Sequence, residues 1–186
     1  MKLEPDPQRK VSLITNLSYG PQVFSKLQAI IARHPGIGIS CSLDSIGENF
    51  TRKYHNWDLW DANFRALAKG FMARVRDHDA LYLHVNITTT AFNYQDVREV
   101  LEYILVFRDK GVNVTFDLNQ LALNQLGSVA STPLDKKGSI TLKPKELALL
   151  TNYEKRMILA HNRMLREVKY DPKLDEFTQV KVHHYR

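Results

Sequence analysis

Small polar side chains stand at the ends of four apolar runs in this chain, and they are the groups best placed to meet a ligand. Val11-Ser-Leu-Ile-Thr15 ends at Thr15-Asn16, Ile37-Gly-Ile-Ser-Cys41 at Ser42-Leu43-Asp44-Ser45, Leu81 to Ile87 at Thr88-Thr89-Thr90, and Val112 to Phe116 at Asp117. Hydroxyls, amides and carboxylates of this kind form a binding or catalytic site when a fold brings them together; scattered, they only make loops and cap helices. Each cluster is followed by a helix-forming stretch. Short β-rich runs alternating with helical patterns predict βα units around a parallel sheet buried by its own crossovers. All four clusters then share one edge, and in open α/β sheets and β/α barrels the carboxyl ends of the strands carry the functional groups.

The spacing also indicates the elements that must position these clusters. Pro21 opens a helix with Val23, Leu27, Ile30 and Ile31 at helical spacing, stopped by His34-Pro35-Gly36. The second run leads through a long polar loop, Ser45 to Asn56, into a helix with Trp60, Phe64, Leu67, Phe71 and Val75 on one face. The third is followed by a helix from about Tyr94, with Val97, Val100, Leu101, Ile104 and Phe107 inward and Gly111 just past its end. Leu118 to Ser139, with Gly127, Pro133 and Gly138, reads as a long irregular connection. Pro144 then opens one long helix with Leu147, Leu150, Ile158, His161, Leu165 and Val168 as its seam, ended by Asp171-Pro172. The tail, with Val180-Lys181-Val182, reads as a short edge strand or as disordered chain. Strands separated by 20 or more residues that include a helix are parallel neighbours with right-handed crossovers. Four such strands make a small open sheet or half of an eight-stranded barrel.

Composition bounds the function. The 186 residues, 44% hydrophobic and 25% charged, suffice for one globular domain with a real core. No apolar stretch is long enough to span a membrane, and Met1 to Lys10 has no apolar signal region, so a cytosolic protein without a membrane partner is expected. The net charge of +6 is uneven: 14 Lys+Arg stand against 13 Asp+Glu through Thr132, and 12 against 7 beyond it. That basic C-terminal third is broken by Asp171, Asp175 and Glu176 and carries no nucleic-acid motif, so it reads as a solvated helix face and nucleic acid is not expected as a partner. The single cysteine, Cys41, lies inside an apolar run as a small hydrophobe; alone it makes no internal disulfide, thiolate zinc cage or cluster.

Other chemistries lack their signatures. His55, His78, His84, His161 and His183-His184 show no ligand spacing such as His-x-x-x-His, so no metal site is expected, and His84 on its strand reads as core or surface. Ser42 with Asp44 has no Gly-x-Ser-x-Gly elbow, and Gly36-x-Gly38 precedes a strand and not a helix. Trp57 and Trp60, at helix spacing, read as packing before ligand stacking.

The order of these segments resembles a known family. Val-Ser-Leu-Ile-Thr15-Asn16, a helix, Ile-Ser-Cys41-Ser42-Leu43-Asp44-Ser-Ile-Gly47-Glu-Asn-Phe50, then Trp60-Asp-Ala-Asn63-Phe-Arg-Ala-Leu67, then Thr90-Ala-Phe-Asn93 before a helix, is similar to the middle of radical S-adenosylmethionine enzymes that carry a SPASM or twitch domain after the barrel. The resemblance covers roughly residues 10 to 117. It implies that the four strands are the third to sixth of a barrel. Ser42 would lie at the adenosylmethionine ribose and Asn93 by the cofactor's amino-acid part, Thr90 would be a further cofactor-binding residue, and Asn16 and Asp44 would lie on the substrate side of the cleft. The departures matter as much. The Cys-x-x-x-Cys-x-x-Cys loop and the Gly-Gly-Glu motif are absent, Thr-Asn-Gly has become Thr15-Asn16-Leu17, and the arginine after Ser-Leu-Asp-Gly is matched only loosely by Arg52 or Lys53. No cysteine-rich auxiliary domain follows Leu118.

The expectation is therefore an α/β chain: a partial, half TIM-type β/α barrel of about four parallel strands over 1–118, an irregular connection over 119–143, and a C-terminal helix with a basic tail over 144–186. Its function is that of a truncated or split radical S-adenosylmethionine enzyme lacking its own cluster, or of a non-catalytic interaction or small-ligand-binding module derived from that fold. No catalytic residue is assigned. Adenosylmethionine and a 4Fe-4S cluster enter only if another chain completes the barrel, and a cluster-bearing barrel half or a second copy is the expected partner, because open edge strands invite association.

Overall fold

The computed structural model describes residues 11–34, 37–54, 56–74, 82–89, 93–120 and 138–167. They form, in order, β1 (Val11–Thr15), α1 (Pro21–Arg33), β2 (Ile37–Ser42), α2 (Gly47–Tyr54), α3 (Trp57–Arg74), β3 (Leu83–Thr89), α4 (Val97–Asp109), β4 (Val114–Gln120), α5 (Pro144–Ala148) and α6 (Asn152–Glu167). The four strands make one parallel sheet in the uncrossed order β1-β2-β3-β4. The chain is thus an α/β fold with flanking helices and a C-terminal helix. The remainder of the expected irregular connection (121–137), the tail strand at 180–182, Val75, Val168 and Thr90 lie outside the described residues.

Register sorts the side chains onto two faces, because neighbours paired in a parallel sheet point the same way. One face carries Ile37, Ile39 and Cys41 beside Leu83, Val85 and Ile87 and then Val114, Phe116 and Leu118, all buried. Against this apolar layer pack Phe24 and Ile31 of α1, Phe64, Leu67 and Phe71 of α3, and Val100, Leu101, Ile104 and Phe107 of α4. Strands added in one direction by right-handed crossovers put all their helices on one side. The opposite face carries Ser12 and Ile14, Gly38, Ser40 and Ser42, His84, Asn86 and Thr88, and Thr115, Asp117 and Asn119. It is polar and largely half-buried or exposed, with Ile14 81% exposed.

Three boundaries differ from the sequence expectation, each for a local reason. The loop after β2 contains a helix, α2, because Phe50 is buried against Trp57 and Trp60 and draws an otherwise polar segment onto the core. α3 starts at Trp57, directly after the expected loop, where the Asn56 side chain accepts the Leu59 N–H at 2.9 Å as a cap. β4 runs on to Gln120, so Asp117 sits within the strand and not at its end. The C-terminal helix is two helices: Thr151 Oγ1 accepts from Glu154 N at 3.2 Å while the Glu154 carboxylate accepts from Thr151 N at 2.9 Å, a reciprocal cap that restarts the helix.

α6 joins the helical layer beside β4. Leu150, Ile158 and Leu165 of the expected seam are buried, whereas Leu147 is 40% exposed. Arg108 of α4 donates to the Val114 carbonyl, to Leu149 O at 2.9 Å and to both carboxylate oxygens of Glu154, with its guanidinium over the Phe116 ring. Burial works to raise the Glu154 carboxyl, but Arg108 and Thr151 outweigh it and hold it below the usual carboxylate range. Asn162 clamps the Ile140 backbone through two bonds of 2.8 Å, and buried His161 bonds Gly138 O at 3.2 Å. Gly138 has room only for a hydrogen, since a side chain there would meet Tyr94 and Leu165.

Candidate functional site

The carboxyl edge of the sheet is braced from within. After β1, Leu17 turns back toward the core with φ +54°, the left-handed region that favours glycine, and is fully buried. Two groups hold it: Thr15 Oγ1 accepts its N–H at 3.0 Å, and Asn63 of α3 donates to Leu17 O at 2.8 Å and Tyr19 O at 2.9 Å. After β2, the Asp44 carboxylate accepts the Thr88 N–H at 2.7 Å. The Asn93 side-chain amide donates to Asp44 O and to Thr88 O, both at 2.8 Å, and so ties the ends of β2 and β3 to the turn before α4. Asn49 of α2 donates to the Asp96 side chain at 3.1 Å.

Asn16, Ser42, Asp44 and Asn93 therefore gather at one edge, but in two roles. Asp44 and Asn93 are buried struts, 5% and 3% exposed, whereas Asn16 and Ser42 face solvent. Asn16 also closes its own turn, its side chain accepting Ser18 N–H at 3.2 Å. Ser45 Oγ and Thr89 Oγ1, just behind the edge, are buried without a hydrogen-bond partner. Trp57 and Trp60 are packing residues: they stack on each other at 5.7 Å, and Trp60 stacks on Phe64 at 5.0 Å.

A second polar group emerges on the open face, one not anticipated from the sequence. His84 Nδ1 lies 2.9 Å from Thr115 Oγ1, and its Nε2 lies 3.5 Å from the Asp117 carboxylate. Asn86, paired in register with Asp117, donates to Ser40 Oγ at 2.6 Å. The signal was a period-2 alternation: His84, Asn86, Thr88 and Thr115, Asp117, Asn119 are polar, with apolar residues between them.

Cys41 is buried on the apolar face, and burial pushes its thiol far up. Among the described residues no group of three or more His, Cys, Asp or Glu side chains gathers, and no helix is long and apolar enough to cross a membrane. Comparison of the chain with family models, with curated proteins and with solved structures finds no match.

Proposed function

We propose that this chain supplies the substrate-side half of a β/α barrel like that of radical S-adenosylmethionine enzymes, with the iron–sulfur cluster contributed from outside these residues. The observation that carries the reading is the uncrossed parallel order β1-β2-β3-β4 with helices on one side, the winding a barrel requires and a doubly wound sheet lacks. Leu17 adds support: it takes a left-handed backbone where the resemblance has glycine. Ser42, exposed at the strand end, fits a contact to a ribose hydroxyl. The single buried cysteine does not fit a cluster, and no step is assigned through one.

A second reading, a small-ligand or interaction module without catalysis, is favoured by one feature. The amide N–H groups of Asn93 are directed to Asp44 O and Thr88 O and so serve the fold.

One experiment separates the two readings: anaerobic co-purification with the product of a neighbouring reading frame that carries Cys-x-x-x-Cys-x-x-Cys, followed by iron and sulfide assay and by analysis for deoxyadenosine. The barrel-half reading expects a stable assembly that holds a cluster and cleaves adenosylmethionine. Failure to associate, or a cluster held stoichiometrically by this chain alone, would count against it.

A further inference from the structure

We propose that His84, Asn86 and Asp117 form a site for a borderline divalent cation, such as zinc, on the open face of the sheet. The argument begins with the imidazole. Its Nδ1 is 2.9 Å from Thr115 Oγ1, and that hydroxyl is 3.5 Å from the Leu83 carbonyl. In the tautomer with its proton on Nδ1, the imidazole donates to Thr115 and Nε2 keeps its lone pair. That lone pair stands beside the Asp117 carboxylate, 3.5 Å away, longer than a good N–H···O bond. Two acceptors facing each other repel unless a proton or a metal cation lies between them, and the partial exposure of the pair admits either.

The separation is itself informative. Nitrogen and oxygen ligands about 2.0–2.2 Å from a tetrahedral metal sit roughly 3.4 Å apart. Metal-binding histidines also characteristically have their second ring nitrogen held by a hydrogen-bond partner, the part Thr115 plays here. Asn86 is the third ligand of the proposed site, being two residues from His84 on the same face of β3 and in register with Asp117. Its amide nitrogen is directed to Ser40, which leaves the carbonyl oxygen as the amide's donor atom to a metal. One imidazole, one carboxylate and one amide oxygen suit zinc and its neighbours, with water filling the open position. Access is available, since the His84 and Asp117 side chains are 19% and 40% exposed. This inference uses β3 and β4 alone and stands independently of the barrel reading.

The test is titration of the intact chain with zinc alone, followed residue by residue by NMR so that the other histidines are read separately. Saturable shifts centred on the His84 ring, Asn86 and Asp117 are expected. His84→Gln and Asp117→Asn should each weaken binding at that site about tenfold or more, and Thr115→Val by a similar factor, as loss of a ligand's hydrogen-bond partner does. Ser12→Ala, on the same face, should leave it unchanged. Shifts confined to other histidines, or an Asp117→Asn isotherm superimposing on that of the parent, would overturn the site. Asp117→Asn is nearly isosteric and partly exposed, so it decides the matter if His84→Gln fails to fold.

Discussion

Val85 and Ile87 differ from His84 and Asn86 by one step along β3, yet they live in different solvents. The first pair is fully buried under α3 and α4; the second lies on a polar, half-open surface. The same division runs through β2 and β4. On the apolar face every contact serves cohesion, and even Cys41 is only a small hydrophobe. On the polar face the side chains bond sideways to their neighbours across the strands, His84 to Thr115 and Asn86 to Ser40, and keep edges open to solvent. A one-sided sheet thus separates a cohesive apolar face from a polar, solvent-facing one by alternate residues. The braces at the carboxyl edge, Asn63, Asp44 and Asn93, join the two.

That comparison can be broken by substitution. Removing the guanidinium that joins α4 to α6 should have the largest effect. Arg108→Ala leaves Glu154 buried and unpaired and should cost about 3–5 kcal/mol in chemical unfolding. Next comes a paired test on one strand. Ile87→Ala on the apolar face should cost about 2–5 kcal/mol, while Asn86→Ala on the open face should cost less than about 1.5 kcal/mol, the worth of one ordinary hydrogen bond; similar values for both would erase the distinction between the faces.

The pH dependence should come from the clasp at α6. Burial lowers the His161 pKa, only partly opposed by the Gly138 carbonyl, so the folded state binds its proton less readily than the unfolded chain. Stability from this group is complete above its ordinary value of about 6.5 and is lost as pH falls below it toward the depressed folded value. His161→Gln should flatten that part of the stability profile. The smallest effect concerns Leu17. At ordinary positions glycine is worse than alanine, but at a left-handed φ Leu17→Gly should be more stable than Leu17→Ala by about 1 kcal/mol in chemical unfolding.

Much of the fold was legible because hydrophobic period and punctuation agreed. β1 and α1 begin where Val11 and Pro21 place them, and Gly111, at φ +84°, follows α4 as its cap. α2 was hidden because Gly47-Glu-Asn-Phe50-Thr-Arg-Lys-Tyr54 has too few apolar residues to show a period. The break before α6 was written as Thr151-Asn-Tyr-Glu154, a capping box masked by the apolar seam running through it. At the site, sequence brought Asn16, Ser42, Asp44 and Asn93 to one edge but could not separate struts from exposed groups, since that depends on which backbone atoms Asn93 and Asp44 reach across the fold. His84 and Asp117 stand far apart in the chain and share no motif. Their proximity is set by the register of β3 against β4, which no local motif encodes.

The claim that the open side of this sheet receives a complementary half is tested most directly by amide hydrogen exchange, strand by strand, on the chain alone and in its co-purified assembly. The β1 amides that point away from β2 should exchange rapidly in the chain alone and become protected in the assembly, while α6 stays protected in both. Slow exchange of those β1 amides in an isolated monomer, or no change on assembly, would contradict it.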